Sequence, residues 1–246
     1  MAVNTIDINV DVGEGVGNES QLMPYISSCN IACGGHAGTI DLMKHIVRLA
    51  KKHNVKIGAH PSFPDKENFG RVVMKMSNQE LLNSIQKQLL NLLTIIEEGE
   101  TTLHHIKPHG ALYNLAAVDE NVAKVIVKAV KSINLPVKLY VPYNSVIASV
   151  AIEQGVEIMF EAFADRNYND DLTLVSRSQK NAVIQDFDML FNHVYGMFYS
   201  KKVVTVQGTI KTIKADTFCV HGDNPNAVKI IKQLKDKLKS LNIDVT

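Results

Sequence analysis

The sequence has almost no net charge: 26 Lys and Arg stand against 25 Asp and Glu, a formal +1 with a pI near 7.7. No broad electrostatic field gathers phosphate backbones or anionic lipid, which argues against nucleic acid and membrane surfaces as partners. Cysteine is scarce too. Cys29, Cys33 and Cys219 are an odd number with no CxxC pair and no zinc-finger spacing, so they read as buried thiols of a reducing compartment. No apolar run reaches the roughly 18 residues that would span a bilayer. Met1 to Val12 alternates apolar and acidic residues, where a secretory signal would place a basic region and then an apolar block. The expectation is a soluble, cytoplasmic protein.

Several catalytic signatures are missing as well. There is no GxxxxGK[ST] phosphate loop, no GxGxxG turn, no HExxH and no GxSxG elbow. P-loop ATP hydrolysis, nicotinamide chemistry and a serine-hydrolase mechanism therefore lack a sequence basis. No Pro/Gly/Ser-rich linker, charge block or low-complexity tract divides the chain, so residues 1–246 are expected to form one domain.

What is present is enough apolar sequence, 46% of 246 residues, to build a core without disulfides or structural metal. Short β-branched runs alternate with segments of helical period, the pattern of βα units on a parallel sheet. The strand candidates are Ile6–Val12, Cys29–Cys33, Val55–Ala59, Leu103–Lys107, Val137–Val141, Val156–Glu161 and Thr217–Val220. Helices are expected near Thr39–His53, Asn78–Glu98, Glu120–Ser132, Ser145–Gln154, Lys180–Tyr199 and Pro225–Ser240. The Asn78 helix opens with a capping box, Ser77 and Glu80, and ends at Gly99. Its Leu81, Leu82, Ile85, Leu89, Leu92, Leu93 and Ile96 form one apolar stripe. The last helix places Pro225 in its first turn, where a missing N–H costs nothing. Val203–Val206 and Thr209–Ile213, flanking Gln207-Gly208, suggest a hairpin.

Most strand candidates run into polar residues: Asp7, Asn9, Asp11 and Glu14, then Asn30, Cys33 and His36, then His60, then Lys107 and His109. Glu161, Asp165 and Arg166 follow the sixth strand, and His221 and Asp223 the seventh. In a parallel barrel such positions converge on one rim, where active sites are built. Asp7, Asn9 and Asp11 share one strand face, and the barrel interior is the better place for it, because helices covering three polar side chains would have to pair them. Gly34-Gly35, Gly58, Gly70, Gly110 and Gly222 lie close to these groups, as loops that let backbone approach a ligand require. His45, His53 and His193 fall on helices and carry no functional weight. The histidines and carboxylates at the strand ends can hold a divalent metal, which sequence spacing leaves open.

Taken together, six blocks resemble the LamB/YcsF family. They are Asp7-Ile8-Asn9-Val10-Asp11-Val12-Gly13-Glu14, Asn30-Ile31-Ala32-Cys33-Gly34-Gly35-His36-Ala37-Gly38, and Gly58-Ala59-His60-Pro61-Ser62-Phe63-Pro64-Asp65 with Phe69-Gly70-Arg71. They continue with Lys107-Pro108-His109-Gly110-Ala111-Leu112-Tyr113-Asn114, Glu161-Ala162-Phe163-Ala164-Asp165-Arg166-Asn167-Tyr168 and Val220-His221-Gly222-Asp223-Asn224-Pro225. The chain departs from the family pattern at Gly35, Thr39 and Val72, and after Asp171, where the family has glycine.

The resemblance implies an irregular seven-stranded, TIM-barrel-like α/β fold related to carbohydrate deacetylase barrels. It implies the opening of 5-oxo-L-proline to L-glutamate coupled to ATP hydrolysis, together with 5-oxoprolinase subunits B and C. With no P-loop here, ATP is expected to act through those partners. The catalytic candidates are Asp11, Glu14, His60, Lys107 and His109; those for substrate binding are Asn9, His36, Arg71, Glu161, Asp165, Arg166, His221 and Asp223. Asp11, Glu14 or His60 would serve as base on water. Lys107, Arg71 and Arg166 would hold a carboxylate or phosphate, and His109 or His221 would protonate the leaving nitrogen. Two rival readings are a metal-dependent amide or sugar N-deacetylase and a non-catalytic scaffold protein of the same complex.

Overall fold

Seven buried strands, all parallel, close on one another in the order β10-β2-β3-β4-β5-β6-β7. The computed structural model describes residues 4–224 and 226–246. The chain enters through β1 (Asn4–Ile6) and β2 (Ile8–Val12), then α1 (Glu19–Leu22), a short 3₁₀ turn and β3 (Ser28–Ala32). There follow α2 (Ile40–His53), β4 (Lys56–His60), α3 (Asn78–Glu98), β5 (Leu103–Ile106), α4 (Gly110–Ala116), α5 (Glu120–Ser132), β6 (Lys138–Pro142), α6 (Val146–Glu153) and β7 (Ile158–Phe163). The chain finishes with α7 (Phe187–Tyr195), a π turn, β8 (Lys202–Val204), β9 (Ile210–Thr212), β10 (Thr217–Val220), α8 (Ala227–Ser240) and β11 (Ile243–Val245). Beside the barrel, β1 pairs with β11 and β8 with β9. Among the described residues no helix is long and apolar enough to cross a membrane.

The alternation of β2 builds the barrel's two faces. Ile8, Val10 and Val12 join the apolar layer under the helices, while Asn9 and Asp11 face inward. The lower interior is a polar network. Thr217 Oγ1 donates to Asp7 Oδ1 at 2.6 Å and Lys56 Nζ to Asp7 Oδ2 at 3.0 Å. Asn30 Nδ2 donates to Asn9 Oδ1 at 2.8 Å, and His105 Nε2 lies 2.6 Å from Asn30 Oδ1. Gly58 makes room for that imidazole: a Cβ there would sit 2.0 Å from His105 Nε2.

The capping box of α3 is present, with Ser77 Oγ accepting from Glu80 N and Glu80 accepting from Ser77 N. The expected hairpin is β8–β9, shorter than its sequence bounds. Several expectations need correction. The first strand is broken at Asp7 into β1 and β2, because Asp7 turns into the polar network. Lys180–Asp186 is not helical. Arg166 binds the carbonyls of Val175 and Ala182, folding this segment back along β7's exit, and helix α7 starts only where Asp186 caps Met189 N at 2.9 Å. The short helices α1 and α4 were not anticipated. The last helix starts at Ala227, and the expected role of Pro225 lies outside the described residues.

Candidate active site

The C-terminal ends of the strands surround a cavity of about 570 Å³, lined among others by Asp11, Glu14, His60, Lys107, His109 and His221. Lys107, just past β5, is buried with its ammonium 3.0 Å from Asp11 Oδ1, 2.9 Å from Glu161 Oε1 and 3.0 Å from Cys219 Sγ. Burial opposes its charge, but Asp11 and its neighbours outweigh that and hold the ammonium well above the usual lysine range. Burial likewise pushes Asp11 up, yet His60 and Lys107 bring it well below the carboxylate range. Contrary to expectation, the Lys107 charge is already compensated inside the barrel.

On one side of this pair lies a histidine cluster. Glu14 Oε1 is 2.9 Å from His36 Nε2, 3.3 Å from His109 Nδ1 and 3.9 Å from His60 Nε2. The rings of His36 and His109 stack at 3.7 Å. Burial lowers His36, and burial followed by the nearby His60 lowers His109 well below the usual imidazole value. Glu14, His36, His60 and His109 each offer an atom to a common point, all within 4.8 Å of one another, a set able to hold a metal ion.

On the other side, Asp165 accepts from the His221 ring at Nδ1, 2.8 Å, and from its backbone N–H, 3.1 Å. Burial raises the Asp165 carboxyl, but the His221 contacts bring it below the ordinary value. Arg166 spends its guanidinium on the Val175 and Ala182 carbonyls, and burial lowers it to about 10. Its expected role as an anion holder thus meets a structural one. Arg71 pairs with Asp223 across the mouth.

The structure gathers Asp11, Glu14, His60, Lys107, His109 and His221 around the cavity, with Arg71, Glu161 and Arg166 also on its wall. The other expected residues stand behind it. Asn9 lies fully buried beneath, His36 behind Glu14, Asp165 behind His221, and Asp223 at the rim. Sequence reasoning missed three neighbours. Cys219 touches Lys107; Tyr113 lines the cavity with its phenol pushed well above normal by burial and then by Glu161; Arg177 lines the mouth. The alternation of β10 was the available signal for Cys219, since it puts Thr217 and Cys219 on one face.

A closed parallel barrel whose acids, bases and cations meet at the strand C-termini defines a TIM-type β/α-barrel enzyme. The sequence model of the LamB/YcsF family matches residues 6–246, and the chain belongs to that family. It is 39% identical over 241 residues to the 5-oxoprolinase A subunit of Haemophilus influenzae (strain PittEE), covering 98% of each. It is 40% identical over 245 residues to the 5-oxoprolinase A subunit of Staphylococcus aureus (strain MRSA252), again covering 98% of each. The crystal structure of a lactam utilization protein from Thermus thermophilus superposes with a TM-score of 0.92 at 34% identity, over 98% of both chains. A family 4 carbohydrate esterase from Streptomyces lividans shares the fold, with a TM-score of 0.53 at 9% identity.

Proposed function

We propose that this chain is the A subunit of an ATP-dependent 5-oxoprolinase, a single cytoplasmic domain that opens the lactam of 5-oxo-L-proline to L-glutamate beside subunits B and C. The observation that carries the reading is the gathering of acid–base groups around one cavity: Asp11, Glu14 and His60 together with the Asp165-supported His221. Near-full-length likeness to relatives named as the A subunit of 5-oxoprolinase supports it.

A lactam is a resonance-stabilised amide, so its hydrolysis needs the water, the carbonyl and the leaving nitrogen all activated. In this reading the partners use ATP to phosphorylate the amide oxygen, which makes the ring carbonyl carbon electrophilic. The Asp11–His60 side takes a proton from water, whose oxygen bonds to that carbon. The C–N bond then breaks as the nitrogen takes a proton from His221 and the new hydroxyl gives up its own, leaving an acyl phosphate; a second water cleaves that to the glutamate carboxylate and phosphate. Arg71 and Arg177, at the mouth, meet the substrate carboxylate or phosphate. ATP enters through the partner subunits, and a divalent cation through the Glu14–histidine cluster.

The test is glutamate release from 5-oxoproline by this chain, with and without ATP and the two partner subunits. Release only with every component present supports the reading. The Glu14–histidine cluster favours a second reading, a metal-dependent amide hydrolase acting alone, and release by this chain without ATP would select it.

A further inference from the structure

We propose that Glu14, His60 and His109 form a divalent-cation site open to the cavity, with His36 holding Glu14 in position. The argument lies in where the ring protons must be. His60 Nδ1 is 2.7 Å from the Lys107 carbonyl oxygen, and a carbonyl only accepts, so the neutral ring carries its proton on Nδ1 and presents a lone pair at Nε2. His109 Nε2 is 2.9 Å from the Phe69 carbonyl, so its lone pair is at Nδ1. These two lone-pair nitrogens face each other at 2.9 Å. Glu14 Oε1 adds a third acceptor, 3.3 and 3.9 Å away, and Asp11 Oδ1 lies 3.5 Å from His60 Nε2.

Acceptors converging in this way repel one another unless something positive stands among them. Lys107 does not, because its ammonium is held between Asp11, Glu161 and Cys219. Ligand atoms around a tetrahedral ion with bonds of about 2.0–2.1 Å are roughly 3.3 Å apart. The separations here, 2.9, 3.3 and 3.9 Å, bracket that value. The two carbonyls that fix the ring tautomers are the outer partners that metal-binding imidazoles ordinarily have.

His36 plays a different part. Its Nε2 lies 2.9 Å from Glu14 Oε1, whereas its buried Nδ1 has no partner among the described residues and so lacks the outer acceptor that His60 and His109 possess. It donates to Glu14 and orients the carboxylate. The Phe69–Gly70 loop closes the back of the cluster. Phe69 takes φ +56° while its carbonyl faces His109, and a Cβ on Gly70 would come within 3.0 Å of His36 and 3.1 Å of His109. Glu14, His60 and His109 line the cavity, which is where the remaining coordination positions open. A set of two imidazoles and one carboxylate suits zinc or another first-row divalent ion.

The test uses the full chain, stripped with a chelator and titrated with Zn²⁺ by calorimetry, with bound metal counted by mass spectrometry. One equivalent is expected in the wild type. His60→Ala and His109→Ala, folded by circular dichroism, should lose stoichiometric uptake, and His36→Phe should weaken binding by about 10–100-fold. Co²⁺ substitution supplies a second readout, an absorption spectrum of nitrogen and oxygen ligation that each ligand variant abolishes. Less than a tenth of an equivalent in folded wild type, or uptake unchanged in both alanine variants, would overturn the proposal, as would a proton shared between His60 and His109 in place of metal. No lactam, ATP or partner enters this experiment, so it can fail or succeed independently of the oxoprolinase reading.

Discussion

Asp165 grips His221 twice, through Oδ1 to the ring Nδ1 at 2.8 Å and through Oδ2 to the backbone N–H at 3.1 Å. The ring is thereby fixed in tautomer and angle, stacked on Phe163 at 5.4 Å, while His221 reaches the cavity wall. Asp165 is a positioning residue, and its effect should appear in turnover. Asp165→Asn, which keeps the shape but supports the wrong tautomer, should lower kcat for glutamate release in the assembled complex by about 10²–10⁴-fold with KM little changed. His221→Asn should cost about as much, and the double variant no more than either alone. Additive losses would mean that the two residues act separately.

Lys107 offers a test of stability. Its ammonium is buried against Asp11 and Glu161, and removing one partner of such a group strands the others. Lys107→Met should destabilise the chain by about 3–5 kcal/mol in urea unfolding, and adding Glu161→Gln should restore part of the loss. A loss below about 1 kcal/mol would show that the carboxylates take up protons or water without difficulty.

Acid should weaken the fold before it titrates most carboxylates. Burial lowers His193 to about 4 and His105 well below the usual imidazole value. A depressed folded value means that the stability is fully present above the unfolded histidine value, about 6.5, and is lost as pH falls toward the folded one. For His193 the loss between pH 6.5 and 5 is at most about 2 kcal/mol. Urea midpoints measured at pH 7 and 5 should fall with acid, and His193→Gln should flatten that slope. An unchanged slope would remove His193 from the account.

The barrel was legible because most β-branched runs ended in polar residues, and because helices covering Asp7, Asn9 and Asp11 would have had to pair all three. What the sequence hid was pairing between distant segments. Lys107 reads as a free cation until Asp11, Glu161 and Cys219 are seen around it, 96, 54 and 112 positions away. Arg166 reads as an anion binder until the carbonyls of Val175 and Ala182 claim it. Lys180–Asp186 has helical composition, but the fold spends its backbone on β7's exit, with Ile184 N bonded to Asp165 O. The departure after Asp171 also acquires a shape: Leu172 stands where the family has glycine and takes φ +66°, a left-handed conformation that costs a leucine about 1–2 kcal/mol.

Gly110 couples the backbone to the histidine cluster and permits a controlled comparison. It takes φ +53°, and a Cβ there would meet the Gly70 carbonyl oxygen at 2.7 Å, the same carbonyl that accepts from Ala111 N at 3.0 Å. Gly110→Ala must therefore bear backbone strain and also push back the loop whose Phe69 carbonyl fixes His109. Gly208, at φ +82° with none of the described residues within 4 Å of where a Cβ would stand, would bear the strain alone. Gly208→Ala should cost about 1 kcal/mol in urea unfolding and leave glutamate release in the complex unchanged. Gly110→Ala should cost about 1–3 kcal/mol and in addition lower both glutamate release and Zn²⁺ uptake, since His109 loses its fixed tautomer. If the two variants differed in stability alone, the Phe69–Gly70 loop would be a structural clasp with no hold on the site.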